Sequence, residues 1–182
     1  VTHMRFKIYP DGGVARLRVH GNVLPDWDAP KNRNSEIDLA AAENGGDVIV
    51  ASDEFFGHRQ NLIMPGFARD MSDGWETRRR RGPGHDWCVV RLGTAGAITR
   101  LEVDTSFFRG NYPACCMIEG GSLAGNDLTS IDWSELLPMS KLQPNTRHEF
   151  DDLADMGAIT HVRFNIFPDG GVSRLRIFGK VT

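Results

Sequence analysis

The chain contains the same 22-residue segment twice. Residues 2–23 read THMRFKIYPDGGVARLRVHGNV, and residues 160–181 read THVRFNIFPDGGVSRLRIFGKV. The two segments align without a gap at a constant offset (160 minus 2 is 158), and 15 of the 22 positions are identical. Such a duplication indicates a repeated structural unit, and it limits the possible folds more than any other feature of the sequence.

Each copy consists of two alternating runs on either side of a Pro-Asp-Gly-Gly turn. In the second copy Val162, Phe164 and Ile166 alternate with polar residues, which is the period of a half-buried strand. Pro168 presets φ for a reversal, and Gly170 can take the positive φ that a tight turn requires. We therefore predict that each copy is a β-hairpin.

The duplication also divides the chain. A lone hairpin is marginally stable in water, so the second copy must close a larger sheet, which residues 38–182 can supply. The first copy has no such sheet of its own. We therefore interpret residues 1–23 as the terminal hairpin of a preceding homologous repeat, residues 24–37 as a linker rich in Pro, Asp and Asn, and residues 38–182 as one complete repeat.

Charge and cysteine content exclude several classes of protein. Lys and Arg number 21 against 24 Asp and Glu, and a net charge of -3 provides no field to hold nucleic acid or an anionic membrane surface. There is no apolar run of roughly 20 residues and no secretory signal pattern, so we expect a cytoplasmic protein. Cys88, Cys115 and Cys116 are predicted to be reduced, partly buried thiols.

The rest of the chain has the pattern of short strands between glycine-containing turns. We predict a short helix over 37–43 capped by Ser35, a strand over 47–51 and a long loop over 52–85. Further strands are predicted over 87–92, 97–104, 114–119 and 146–151. These elements favour a two-sheet sandwich of the jelly-roll type.

Four consecutive arginines lie in the long loop. In an extended segment Arg78 and Arg80 share one face, and Arg79 and Arg81 share the other. Two guanidinium groups can grip a carboxylate or phosphate in bidentate fashion, so the run suits a small anionic ligand. A solvated charge run is the alternative interpretation.

Other polar residues are candidates for proton transfer or ligand binding. His58 and His85 carry imidazoles that titrate near neutrality, although a loop histidine is often only a surface residue. The DEFF motif at 53–56 is either part of a site or a strand end whose phenylalanines fill the core. Asp104 and Thr105 end a predicted strand, where they would face a ligand or merely cap the strand.

The sequence predicts no cofactor. It contains no HExxH, no Cys-x-x-Cys and no glycine-rich phosphate loop. The pairs His85-Asp86 and Asp53-Glu54 could supply ligands to a divalent ion, but no motif supports a metal.

Several long motifs occur together and in order: DEFFG (53–57), DGWETRRRR (73–81), HDW (85–87), EVDTSFFRGNYP (102–113) and the twin RFxIxPDGG segments. Together they resemble the allantoicase family, whose members degrade allantoate in purine catabolism. The resemblance implies tandem jelly-roll repeats, hydrolysis of allantoate to ureidoglycolate and urea, and a homo-oligomer. The fold class expected here is all-β, a galactose-binding-like sandwich of antiparallel strands with long loops.

For this chemistry the sequence suggests roles for particular residues. Glu54 or Asp104 would activate water, and His85 would protonate the departing nitrogen. The expected substrate-binding residues are Arg78, Arg79, Trp75, Thr105 and Asn111.

Two other functions fit the same residues. A jelly-roll domain can be a non-catalytic module that binds a small ligand at its loop-bearing end. The unpartnered first copy also fits one part of a split allantoicase, completed by a missing first repeat.

Overall fold

The predicted all-β architecture is confirmed in a computed structural model that describes residues 3–29, 35–123, 125 and 127–182. Ten strands follow in chain order: β1 (Ile37–Asp38), β2 (Asp47–Ala51), β3 (Trp75–Glu76), β4 (Asp86–Asp104), β5 (Cys115–Gly121), β6 (Ser134–Lys141), β7 (Arg147–Phe150), β8 (Ala158–Phe167), β9 (Gly171–Val172) and β10 (Arg174–Val181). Short 3-10 helices cover Ala42–Asn44, Arg59–Ile63, Met71–Asp73 and Leu128–Ser130. None of the helices in these described ranges is long and apolar enough to span a membrane.

The long strand β4 organises the sandwich because its two halves have different neighbours. Residues 86–91 pair with β2 and β8, residues 96 and 97 pair with both β8 and β10, and the remainder of β4 pairs with β10 and, near the end, with β7. Strand β8 also pairs with β5, and β5 with β6, while β10 pairs with β1. All of these pairings are antiparallel. Because the two ends of β4 have different neighbours, this strand takes part in both layers.

Apolar side chains from both groups of strands form one core. Val90 and Phe164 come from the layer that holds β8, and Leu101 and Ile177 from the layer that holds β10. All four are completely buried. Burial of each such side chain stabilises the fold by roughly 1.5–3 kcal/mol, so the two halves of β4 are held face to face.

The second copy of the repeat is not a hairpin, and that prediction is wrong. Strands β8 and β10 do not pair with each other. Both pair with β4, β8 mainly with residues 86–91 and β10 with residues 96–104. The chain between them passes through β9, which pairs with β3. Alternation predicts that a segment is a strand, but it carries no information about which strand lies beside it.

The structure also corrects other predictions made from the sequence. The helix predicted over 37–43 is instead β1 followed by a 3-10 turn. The Asp38 carboxylate accepts hydrogen bonds from the backbone of Ala40 and Ile177, which ties this segment to β10. The strands predicted over 87–92 and 97–104 are parts of β4, and β6 was not predicted.

The first copy has a different environment from the second. The described residues 3–24 contain no strand and are exposed. Phe6 is 55% exposed, whereas its equivalent Phe164 is fully buried. Gly12 and Gly170 nevertheless share a φ of 136°. The end of a preceding repeat thus stays a prediction for residues 1–23; residues 1, 2 and 30–34 lie outside the described part of the chain.

Candidate functional site

Two adjacent cavities open at the end of the sandwich where β8 ends and β4 begins. The larger, which we call the Glu76 cavity, has a volume of about 490 Å³ and is lined by Glu76, Arg79, Asn111 and Asp169 among others. The smaller, the arginine cavity, has a volume of about 380 Å³ and is lined by residues 78–82 with Ser52, Asp53 and Asp86. Arg79 and Arg80 line both cavities, so the arginine run is the wall between them.

The turn of the repeat builds the Glu76 cavity. Glu76 ends β3 and pairs with Gly171 of β9. The backbone N–H of Gly171 donates to the carbonyl of Asn111 (2.7 Å), and the Asn111 side-chain amide donates to Glu76 Oε1 (2.5 Å). Thr77 Oγ1 accepts from the N–H of Gly170 (3.1 Å). Three distant segments are thereby fixed around one space.

Alternate arginines differ in their partners. Arg78 donates from its backbone N–H to Asp53 Oδ2 (2.7 Å) and from Nη2 to Oδ1 (2.9 Å). Arg80 forms an ion pair with the buried carboxylate of Asp86. Arg79 and Arg81 are exposed and make no hydrogen bond or ion pair with another described residue. This alternation is that of an extended segment, and it leaves the second and fourth arginines available for a ligand.

The arginine partners also fix the charge of the acids. Burial opposes ionisation of Asp53, but the hydrogen bonds from Arg78 outweigh burial and lower the pKa of the carboxyl. Asp53 is therefore an ionised partner of Arg78. Arg78 and Arg79, which the sequence predicts to clamp a carboxylate, differ in this respect, because Arg78 is paired with Asp53 while Arg79 lines both cavities without a partner among the described residues.

The three residues predicted to be catalytic line neither cavity. Glu54 Oε1 accepts a hydrogen bond from Arg59 Nη1 (2.5 Å). Burial opposes ionisation of Glu54, but the hydrogen bonds from Arg59 outweigh burial and lower the pKa of the carboxyl. His85 Nε2 is bonded to Asn165 Oδ1 (3.0 Å). Asp104 is buried at the end of β4, where it accepts from the backbone N–H of Ser106.

The structure separates the residues predicted to bind substrate into two groups. Arg79 and Asn111 line the Glu76 cavity, and Arg78 lines the arginine cavity. Trp75 is fully buried, with Nε1 donating to the carbonyl of Asp53 (2.8 Å). Thr105 is also buried, and its hydroxyl bonds to the carbonyls of residues 143 and 146. Trp75 and Thr105 thus serve the fold.

Sequence reasoning assigned no role to Glu76 or Asp169, although both line the larger cavity. Asp169 Oδ2 accepts from the backbone N–H of Arg80 (2.8 Å), which links the repeat turn to the arginine run. The sequence did contain one sign of a role for Asp169, because this residue lies in the duplicated Pro-Asp-Gly-Gly turn. Its position beside Arg80 depends on a contact between segments far apart in the sequence.

The thiols and the suggested metal ligands are placed by the same fold. Burial raises the pKa of Cys116 to about 12, so its thiol lies protonated in the core. Within the described ranges, no group of three or more His, Cys, Asp or Glu residues is arranged to hold a metal ion. Of the acids proposed as ligands, Asp53 and Asp86 each accept from an arginine.

Fold and site together define a β-sandwich whose loop-bearing end holds two cavities with arginines in their walls. The family model for the allantoicase repeat matches residues 1–24 and 37–182. The chain therefore belongs to the allantoicase family.

Known proteins agree with this membership. The chain is 54% identical to the probable allantoicase of Stutzerimonas stutzeri, over 100% of this chain and 56% of that protein. A Pseudomonas aeruginosa relative of the same name is 52% identical over 98% of this chain and 55% of that protein. The chain thus spans about half the length of these curated relatives.

Solved structures resemble the chain at two levels. The crystal structure of allantoicase from Saccharomyces cerevisiae aligns with a TM-score of 0.78 and 42% identity, over 94% of this chain and 49% of that one. A family 32 carbohydrate-binding module from Clostridium perfringens aligns with a TM-score of 0.59 and 13% identity, over 80% of this chain and 95% of that one. The second likeness concerns the sandwich fold alone.

Proposed function

We propose that the protein hydrolyses allantoate to ureidoglycolate and urea, a step in purine (allantoin) catabolism, and that the Glu76 cavity binds the substrate. Membership of the allantoicase family supports the reaction. The observation that carries the choice of site is that Glu76 and Asn111, which are hydrogen-bonded to each other, line this cavity together with Arg79, which has no partner among the described residues.

The substrate sets the chemical demands. The central carbon of allantoate carries one hydrogen, one carboxylate and two ureido groups. Hydrolysis breaks one bond from this carbon to a ureido nitrogen, forms a bond to a water oxygen, and moves one proton from water to the departing nitrogen. The site must hold an anion, orient amide groups and accept a proton from water.

The Glu76 cavity offers a group for each demand. Arg79 can bind the carboxylate through charge-assisted hydrogen bonds. Asn111 donates to Glu76 Oε1, which orients the glutamate and leaves Oε2 without a hydrogen bond to another described residue. We assign Glu76 as the general base that takes a proton from water and then returns it to the departing nitrogen, and the side chain of Asn111 to the ureido groups. These assignments replace those of Glu54, Asp104, His85 and Thr105.

The proposal also concerns where the enzyme works and what covers its first segment. We infer that it works in the cytoplasm and that a further homologous repeat, in the same protein or in a homo-oligomer, covers residues 3–24. The exposed apolar residues of this segment support that inference, since Phe6 and Ile8 are 55% and 43% exposed.

The test is urea release from allantoate by the purified chain, by Glu76→Gln and by the control Glu149→Gln, whose side chain is exposed on β7. We expect Glu76→Gln to lower kcat by about 100-fold or more with little change in KM. The control should match the wild type. Saturable binding of allantoate without urea release would instead support the non-catalytic module.

A further inference from the structure

The arginine cavity carries an excess of positive charge. Its wall contains four arginines against two acids, Asp53 and Asp86, which leaves two positive charges (4 minus 2). The acids neutralise Arg78 and Arg80 in direct ion pairs. The excess therefore resides on Arg79 and Arg81, whose side chains meet no acid among the described residues.

The spacing of these two cations suits one shared ligand. Residues two apart on an extended segment point to the same side, with about 6.6 Å between their backbone positions. Two guanidinium groups at that separation can donate to opposite sides of one small oxyanion. Their mutual repulsion falls when a dianion lies between them.

Hydrogen bonds within the protein fix the residues that form the floor of the arginine cavity. The Ser52 hydroxyl donates to Asp86 Oδ1 (3.0 Å) and accepts from the backbone N–H of Trp87 (2.9 Å). Asp86 is 2% exposed and pairs with Arg80, so these groups are not available to a ligand. They hold the arginine run in place, and Arg79 and Arg81 are the cations of this wall whose charge no acid of the described residues neutralises.

We propose that the arginine cavity is a second anion site, separate from the substrate cavity, and that it binds a small dianion of the phosphate type. The cavity of about 380 Å³ has room for such an ion. Because Arg79 lines both cavities, the dianion competes with the substrate for this side chain. Each ligand must then weaken the other by the same factor.

Calorimetric titration of the purified chain with inorganic phosphate tests the site without any measurement of activity. We expect saturable binding at one site, weakened about tenfold or more in Arg81→Gln. The matched control is Arg69→Gln, because Arg69 is also exposed but lies outside the cavity and next to Asp73. Equal affinity in the wild type and Arg81→Gln would overturn the proposal. So would equal binding of acetate, a monoanion, at the same ionic strength.

A second titration separates this site from the substrate cavity. Asn111→Ala should weaken binding of allantoate and leave that of phosphate unchanged, because Asn111 lines only the Glu76 cavity. In a Glu76→Gln background, in which turnover is slow, saturating phosphate should raise the Kd of allantoate, and adding Arg81→Gln should shrink this effect. An unchanged Kd of allantoate would refute competition for Arg79. A failure of urea release would leave the phosphate result intact.

Discussion

At the scale of single residues, neighbouring arginines of identical chemistry have different tasks. Arg78 is committed to Asp53, and its neighbour Arg79 has no partner among the described residues. The difference arises because successive side chains of an extended segment point in opposite directions. Only one side of this segment meets the acids at 53 and 86.

Arg79→Gln should raise the Kd of allantoate by about 10- to 100-fold, because one charge-assisted hydrogen bond contributes about 1.5–3 kcal/mol. Isothermal titration in a Glu76→Gln background, in which turnover of allantoate is slow, measures this affinity directly. Arg78→Gln is the comparison, and it should change the affinity much less, since its side chain is bonded to Asp53. Equal losses in both variants would favour the two-arginine clamp that the sequence suggested.

Glu119 ties together polar residues on the outer side of β5 and β8. Its two carboxylate oxygens accept from Arg163 (both 2.6 Å), and one also accepts from Asn165 (2.8 Å). Burial opposes ionisation, but these hydrogen bonds outweigh it and lower the pKa of Glu119. The ionised form is therefore favoured more in the folded than in the unfolded chain.

This difference predicts a dependence of stability on pH. The contribution of Glu119 is complete above its unfolded pKa of about 4.3 and is lost as the pH falls through the lower folded value. Glu119→Gln should cost about 1 kcal/mol at neutral pH and flatten the decline below pH 4.3. Urea unfolding between pH 3 and 7 measures both effects, with Glu149→Gln as control. Parallel curves for Glu119→Gln and the wild type would contradict the assignment.

At the scale of elements, the Pro-Asp-Gly-Gly turn connects the two layers and shapes the cavity. Gly170 has a φ of 136°, which side chains rarely tolerate, and a Cβ there would lie 2.6 Å from the carbonyl oxygen of Asn111. The glycine is thus required by both its backbone conformation and its neighbour. The turn serves the fold and the site through the same atoms.

Gly170→Ala should destabilise the chain by about 1–3 kcal/mol, because the left-handed backbone is strained and the Asn111 segment must move. It should also weaken binding of allantoate, since Asn111 positions Glu76. The control is Gly110→Ala, which lines the same cavity but would place its Cβ more than 4 Å from other atoms. Chemical denaturation followed by titration measures both effects; equal stability of the two variants would contradict the steric argument.

At the scale of the whole molecule, the chain holds one sandwich but two copies of the segment that closes it, and only the second copy belongs to the sandwich. The second copy is embedded between β4, β5 and β1, whereas residues 3–24 pair with no strand of the described chain. The apolar residues that the two copies share are therefore buried only in the second copy.

Trypsin should cleave the purified chain first within residues 3–24, where Arg5, Lys7, Arg16 and Arg18 are all exposed. The sandwich should survive as a resistant fragment, because its backbone is paired and its core is closed. Mass spectrometry of the early fragments identifies the sites. In the longer Stutzerimonas relative the matching segment should resist cleavage if another repeat covers it. Equal susceptibility in both proteins would argue against that covering repeat.

The sequence by itself determined most of the longer strands, the turn chemistry, the family and the presence of an arginine run suited to anions, since these follow from local patterns. Only the tertiary structure decided which strands pair and which arginines lack a partner among the described residues. Arg79 differs from Arg78 and Arg80 because Asp53 and Asp86 approach the other side of the run. Likewise, β8 and β10 separate because β4 is long enough to cross both layers. Such contacts join segments far apart in the chain, and local alternation does not encode them.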